Sequence, residues 1–207
     1  MKKIITSIIT FILVISFVLP GASAKETQVF EDVPTTHPNF NDINYLVEHG
    51  VLEKGGKYRL TDMITREEAI VMIAKAVGLD GTPRETKFDD VPKSNINSGY
   101  IQSAVEAEII YGSTPYDFMP KAPLTRMQMS VILVRAFQLP LDEVPIGTRL
   151  FKDVDYLIYG APFIQSIVKL GITNGYPDGN FKPHNALTRA HMAAFLSRAM
   201  KYVEDNK

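Results

Sequence analysis

A three-part signal recurs three times along this chain. The first copy opens with Phe30-Glu31-Asp32-Val33 and closes with Ile64-Thr65-Arg66. The second runs from Phe88-Asp89-Asp90-Val91 to Leu124-Thr125-Arg126, and the third from Phe151-Lys152-Asp153-Val154 to Leu187-Thr188-Arg189. A recurrence at about 60 residues means that one supersecondary unit is used three times, so fold and function belong to what the copies share. The register is strict. Each opening phenylalanine lies 13 residues before an isoleucine: Ile43, Ile101 and Ile164. From that isoleucine to the threonine the distance is 22, 24 and 24 residues, so the first copy has the shorter loop. An aromatic residue stands seven positions before each threonine: Tyr58, Phe118 and Phe181.

The spacing predicts two helices per copy. The first covers roughly 39–49, 98–108 and 161–170, with apolar triplets Ile43/Leu46/Val47, Ile101/Ala104/Val105 and Ile164/Ile167/Val168. Steps of three and four place each triplet on one buried stripe. Gly50 and Gly171 stand where a helix ends in a left-handed residue. The matching position in the second copy is Glu108, so that helix either ends differently or carries strain there. The second helix starts at the threonine. Thr65 with Glu68, and Thr125 with Gln128, read as capping boxes; Thr188 has His191 at that place, which leaves the reciprocal bond doubtful. The apolar face then follows as Ala69/Met72/Ile73/Ala76, Met129/Ile132/Leu133/Ala136 and Met192/Phe195/Leu196/Ala199. Small residues alternate with large ones, which suits close helix packing, and the methionines read as core filler.

Lys2 and Lys3, the apolar run Ile4–Leu19, the breaker Pro20-Gly21 and the small triplet Ala22-Ser23-Ala24 have the layout of a secretory leader cleaved after Ala24. The run is short of the ~20 residues a bilayer span needs, and no second run of spanning length follows, so no membrane span is expected after cleavage. Losing Lys2 and Lys3 takes the formal charge from −1 to −3. Nothing here is strongly basic, so nonspecific nucleic-acid binding is not expected. There is no cysteine, so an exported domain of this size must be held by packing alone. The expected division is 1–24 leader, then repeats over 25–86, 87–149 and 150–207.

The pattern F-x-D-V, helix, G-Y-x-D-G-x-F-x-P, then [IL]-T-R at a helix start resembles the S-layer homology family. The fullest loop is Asn174-Gly175-Tyr176-Pro177-Asp178-Gly179-Asn180-Phe181. The resemblance covers about residues 30 to 200. It implies an all-α fold, with three helix–loop–helix repeats in a pseudo-threefold bundle and grooves between them. It also implies noncovalent attachment to secondary cell-wall polysaccharide, often carrying a pyruvate ketal, at the cell surface. S-layer or other surface proteins are further candidate partners.

By that resemblance Arg66, Arg126 and Arg189 are the expected polysaccharide ligands. The residue chemistry agrees, since a guanidinium fork can bind a carboxylate through two parallel hydrogen bonds at a helix N-terminus. The competing role is pairing with Asp32, Asp90 or Asp153, and both can hold together, with the aspartates orienting arginine or accepting sugar hydroxyls. Gly112 and Gly175 are assigned to close backbone approach to the sugar, and Thr65, Thr125 and Thr188 to helix capping. The copies differ in their loops and at Glu68, Gln128 and His191, so three equal grooves are not expected.

Other classes find little support. The acidic residues recur with the repeat, and none stands out as the unique carboxylate pair of a glycosidase. His37, His49, His184 and His191 show no metal-ligand spacing, and the Pro-Asp-Gly turn lacks the alternating carboxylates of a calcium loop. No cofactor, metal site or catalytic residue is expected. With no passenger domain evident after the third repeat, an adaptor that recruits another surface protein is the main alternative.

Overall fold

The computed structural model describes residues 28–207. The expected leader, 1–24, lies outside the described residues. Among these, six helices account for most of the regular structure: α1 (Phe40–Glu48), α2 (Arg66–Ala76), α3 (Ser98–Glu106), α4 (Arg126–Ala136), α5 (Ala161–Lys169) and α6 (Arg189–Asp205). The expected all-α class is what the chain forms. One addition is a small antiparallel hairpin of β1 (Arg149–Phe151) and β2 (Val154–Asp155). It sits on the third F-x-D-V. The first two copies close the same four residues as a turn, Val33 N–H to Phe30 O and Val91 N–H to Phe88 O. In the third, the preceding segment is extended and pairs Arg149 with Asp155.

Each second helix begins at its threonine. Thr65, Thr125 and Thr188 are extended (ψ 160–161°), and each side chain accepts from the backbone N–H three residues on. Glu68 and Gln128 complete reciprocal boxes. His191 does not, because its ring reaches only the threonine hydroxyl, at 3.0 Å.

Just before these caps the three copies meet. Ile64 N–H donates to Leu187 O at 2.9 Å, Leu187 N–H to Leu124 O at 2.8 Å, and Leu124 N–H to Ile64 O at 3.0 Å. The three bonds close a cycle, and all three residues are fully buried. Below it, α2, α4 and α6 bury most of their circumference, not only the expected stripe: Ile70, Ser130 and Ala193 are also inaccessible.

The packing partners cross repeat boundaries. The first helix of each copy lies on the second helix of the copy before it: α3 on α2, α5 on α4, and α1 on α6. The last of these contacts closes the ring. There Asp42, buried on α1, accepts from Ser197 Oγ at 2.6 Å, and Tyr45 OH donates to Glu204 at 2.7 Å. Within each copy the opening phenylalanine meets the loop aromatic, Phe30 with Tyr58, Phe88 with Phe118, and Phe151 with Phe181, at ring separations of 5.2–5.4 Å.

The helix ends resolve the question at Glu108. Gly50, Gly171 and Glu108 are all left-handed, with φ of 69°, 71° and 58°. Glu108 therefore pays the Cβ–carbonyl strain that glycine avoids. Glu108→Gly is expected to raise stability by roughly 0.5–1 kcal/mol, and Gly171→Ala to lower it by about 1 kcal/mol through the backbone alone, since a Cβ at Gly171 would touch nothing. Urea denaturation checks both signs.

Candidate functional site

The Thr-Arg arginines point out of their own repeat into the next one. Arg66 donates from Nε to Phe118 O at 2.9 Å and from Nη2 to Tyr111 O at 3.0 Å. Arg126 donates from Nε to Phe181 O at 2.7 Å. Arg189 closes the ring, donating to Tyr58 O at 2.6 Å. Each guanidinium also lies 4.6–4.8 Å from the ring of the aromatic it bonds. Arg66 and Arg126 are only 6% and 3% exposed. Burial lowers the pKa of both, partly opposed by Asp90 for Arg66 and by Tyr176 and Asp153 for Arg126; arginine still keeps its charge.

The aspartates are the far end of the same connection. Asp32 accepts from the N–H groups of Tyr58 and Arg59, Asp90 from Phe118 and Met119, and Asp153 from Phe181 and Lys182, all at 2.7–2.8 Å. Arg59, Met119 and Lys182 have φ of 58–61°. That twist turns two successive N–H groups toward one carboxylate. Arginine and aspartate thus come together only across a repeat boundary, and no ion pair joins them among the described residues. One residue bridges them: its N–H binds the aspartate and its carbonyl binds the arginine.

The helix N-termini are not open to an incoming anion. The N–H groups of Arg66 and Glu67 donate to Ala122 O and Pro120 O, those of Arg126 and Met127 to Asn185 O and Pro183 O, and those of Arg189 and Ala190 to Asp62 O and Leu60 O. The neighbouring copy satisfies what a free helix start would offer. The two glycines have a packing reason as well. A Cβ on Gly112 would stand 2.5 Å from Phe88 Cε1, and one on Gly175 (φ +74°) 2.5 Å from Phe151 Cε1. Both leave room for the opening phenylalanine of their own copy.

What remains available differs from groove to groove. A groove of about 340 Å³, walled mostly by the second copy with Arg66 of the first and Tyr159 of the third, is also lined by Tyr111, Gly112, Gln128 and Arg135 among others, none of them acidic. Arg66 Nη1 has no partner there among the described residues. In the corresponding groove beside Arg189, about 220 Å³, Glu53 and Glu68 line the wall. Arg189 Nη1 is paired with Glu68 at 2.8 Å, and Glu68 also holds Arg59 at 3.1 Å. Arg126 is enclosed by Tyr176, Phe181 and Phe195, each ring within 5.2 Å. His191 takes the place of Glu68 beside it, and burial first, then the Arg126 charge, lowers its pKa.

The sequence reading passed over a second recurring cation, ten residues past each threonine: Lys75, Arg135 and Arg198. Lys75 pairs with Glu53 at 3.7 Å and Arg198 with Asp42 at 3.6 Å. Arg135 has no acidic partner among the described residues. Repeat alignment alone could have found it.

Two outcomes follow. Asp90→Ala orphans the Phe118 N–H in the interior and is expected to cost roughly 2–3 kcal/mol, measured by urea unfolding; Asp90→Asn, which keeps one acceptor, costs less. Glu67 bridges the first two copies, accepting from Asn95 (2.9 Å), Asn97 (3.0 Å) and Lys121 (2.7 Å). Burial raises its pKa, but those bonds more than reverse this and hold it below the ordinary 4.5. The stability it contributes is complete above about pH 4.5 and is lost as pH falls through the lower folded value. Melting temperature should therefore fall from pH 6 to pH 3, and Glu67→Gln should flatten the fall.

Comparison with known proteins places the chain. The S-layer homology domain model matches residues 29–70, 87–130 and 150–193. The chain is 31% identical over 206 residues to the S-layer protein sap of Bacillus anthracis, covering 97% of this chain and 24% of that protein. It is 28% identical to an endoglucanase of Bacillus sp. (strain KSM-635), covering 95% of this chain and 22% of the enzyme. It is 27% identical to a cellulosome-anchoring protein of Acetivibrio thermocellus, over 88% of this chain and 41% of that protein. The chain spans less than half the length of each of these relatives. The three family matches fall on the three copies whose backbones close the central cycle, and the chain belongs to the S-layer homology domain family, a family of cell-surface proteins.

Proposed function

We propose that this chain is a noncovalent cell-wall anchoring module that recognises an acidic secondary cell-wall polysaccharide, pyruvylated on a sugar, through its inter-repeat grooves. Anchoring is supported by the kinds of relative that carry the same module, an S-layer protein, an endoglucanase and a cellulosome-anchoring protein, in each of which it is a minor part. A module shared by proteins of such different names is suited to place them rather than to do their chemistry.

The observation that carries the ligand class is the Arg66 groove. It offers a guanidinium with an unused Nη1, a second cation at Arg135 and no acid on its walls. A carboxylate entering it meets two positive charges in a partly dry setting, where such contacts are stronger than in water. The Arg189 groove has its charge met by Glu68 from within, and Arg126 faces aromatic rings on three sides. In this reading Asp32, Asp90 and Asp153 act from behind: each fixes the carbonyl that fixes an arginine. Gly112 lines the groove beside Arg66 and presents only backbone for a sugar to approach, with Gly175 in the matching place of the third copy.

The chain should sediment with purified walls that carry the pyruvylated polymer, and removing the polymer should cut retention at least about 10-fold. Arg66→Ala should weaken binding to a similar extent while costing roughly 2 kcal/mol through lost carbonyl bonds, so its fold is checked by circular dichroism. Equal retention on stripped walls would end the polysaccharide reading.

A further inference from the structure

We infer that Tyr111 and Tyr159, with Arg135 between them, form a stacking platform for a pyranose ring next to the Arg66 carboxylate site. This rests on the wall-polysaccharide reading and adds to it a subsite outside the repeat signature.

Both tyrosines are well exposed, Tyr111 at 49% and Tyr159 at 68%, and both line the acid-free groove with Arg66. The fold does not ask for them. At the place of Tyr111 the other copies have Glu53 and Asn174, and at the place of Tyr159 they have Pro38 and Ile96. What holds the rings is Arg135. Its guanidinium lies 4.9 Å from the centre of the Tyr111 ring, and its Nη2 is 3.2 Å from Tyr159 OH. Phe163 backs Tyr159 at 5.9 Å. The matching cations in the other copies are engaged with acids, Lys75 with Glu53 and Arg198 with Asp42. Only here does that cation link two tyrosines, one through its ring and the other through its hydroxyl.

A pyranose presents a face of C–H groups that packs on the electron-rich face of an aromatic ring. Exposed aromatic rings beside unopposed cations therefore suit an anionic sugar better than either feature alone. The platform is continuous with the anion site, because the Tyr111 carbonyl accepts from Arg66 Nη2 at 3.0 Å. A ligand ring on the tyrosines places an equatorial or ketal carboxylate within the reach of both arginines. Two rings already tethered lose little freedom on binding, so the stacking energy is largely retained as affinity.

The test measures retention of the full chain on polymer-bearing walls, with thermal melting to confirm each fold. Tyr111→Ala and Tyr159→Ala should each weaken binding roughly 3- to 10-fold, while Tyr111→Phe, which keeps the ring face, should stay within about 2-fold. Tyr116→Ala, an equally exposed tyrosine (69%) that does not line the groove, should bind as the parent does. If the parent binds and both alanine variants bind equally well, the platform is wrong while the wall-binding reading stands. If Tyr111→Phe loses as much as Tyr111→Ala, the hydroxyl rather than the ring is at work and stacking is overturned. If the parent ignores polymer-bearing walls, the functional reading itself fails and this inference with it.

Discussion

Three backbone hydrogen bonds around one axis, Ile64 to Leu187, Leu187 to Leu124 and Leu124 to Ile64, govern the geometry of everything else. Each is worth only ~1 kcal/mol net, but an unmade one would leave a buried amide unsatisfied at greater cost. The cycle therefore specifies more than it stabilises. It admits a third copy at one place only, with its threonine one residue past the junction and its arginine one further. That position throws the arginine across the boundary and makes the neighbouring loop the cap of the new helix. Capping, the arginine contacts and the seating of the first helix on the preceding copy are consequences of one closed ring.

The arginines then have two duties that do not compete. Nε is spent on a neighbouring carbonyl in all three copies, which fixes the plane of the guanidinium. A terminal nitrogen not spent in this way, Nη1 in Arg66, is what a ligand could use. A lysine could not divide its labour this way, having one rotating ammonium rather than a planar fork. The aspartate extends the support by one link, because it sets the peptide whose carbonyl the arginine grips. Structural and binding roles for these residues are thus the inner and outer ends of one chain of contacts.

Much of this was legible in the sequence because periodicity reports burial. The stripes through Ile43, Ile101 and Ile164, the caps at Thr65 and Thr125, and the doubtful box at His191 are local properties of short segments. The strained turn at Glu108 was legible too, by alignment with Gly50 and Gly171. Partner choice was not. A stripe says that a helix buries one face, but not that α3 covers α2 instead of α4. The role of Asp32, Asp90 and Asp153 was hidden for a related reason. Their partners are backbone amides 26–29 residues away, turned by left-handed residues at Arg59, Met119 and Lys182, none of which is a residue type that announces such a turn. The hairpin at Arg149–Asp155 was missed because two short strands make no periodic signal.

The inequality of the grooves follows from the same division. Residues that close the ring are fixed by it and recur, so they carry no information about which groove differs. Residues facing the grooves are free of that demand, and there the copies part: Glu68, Gln128 and His191 at one position, Glu53, Tyr111 and Asn174 at another. Gln128 shows how small the difference can be. It completes the same kind of capping box as Glu68, accepting from the threonine N–H, yet brings no charge. The fold is indifferent to that exchange, while an anion entering the groove is not. A glutamate answers the neighbouring arginine from within, as it does at Arg189, and a glutamine leaves it to be answered from outside.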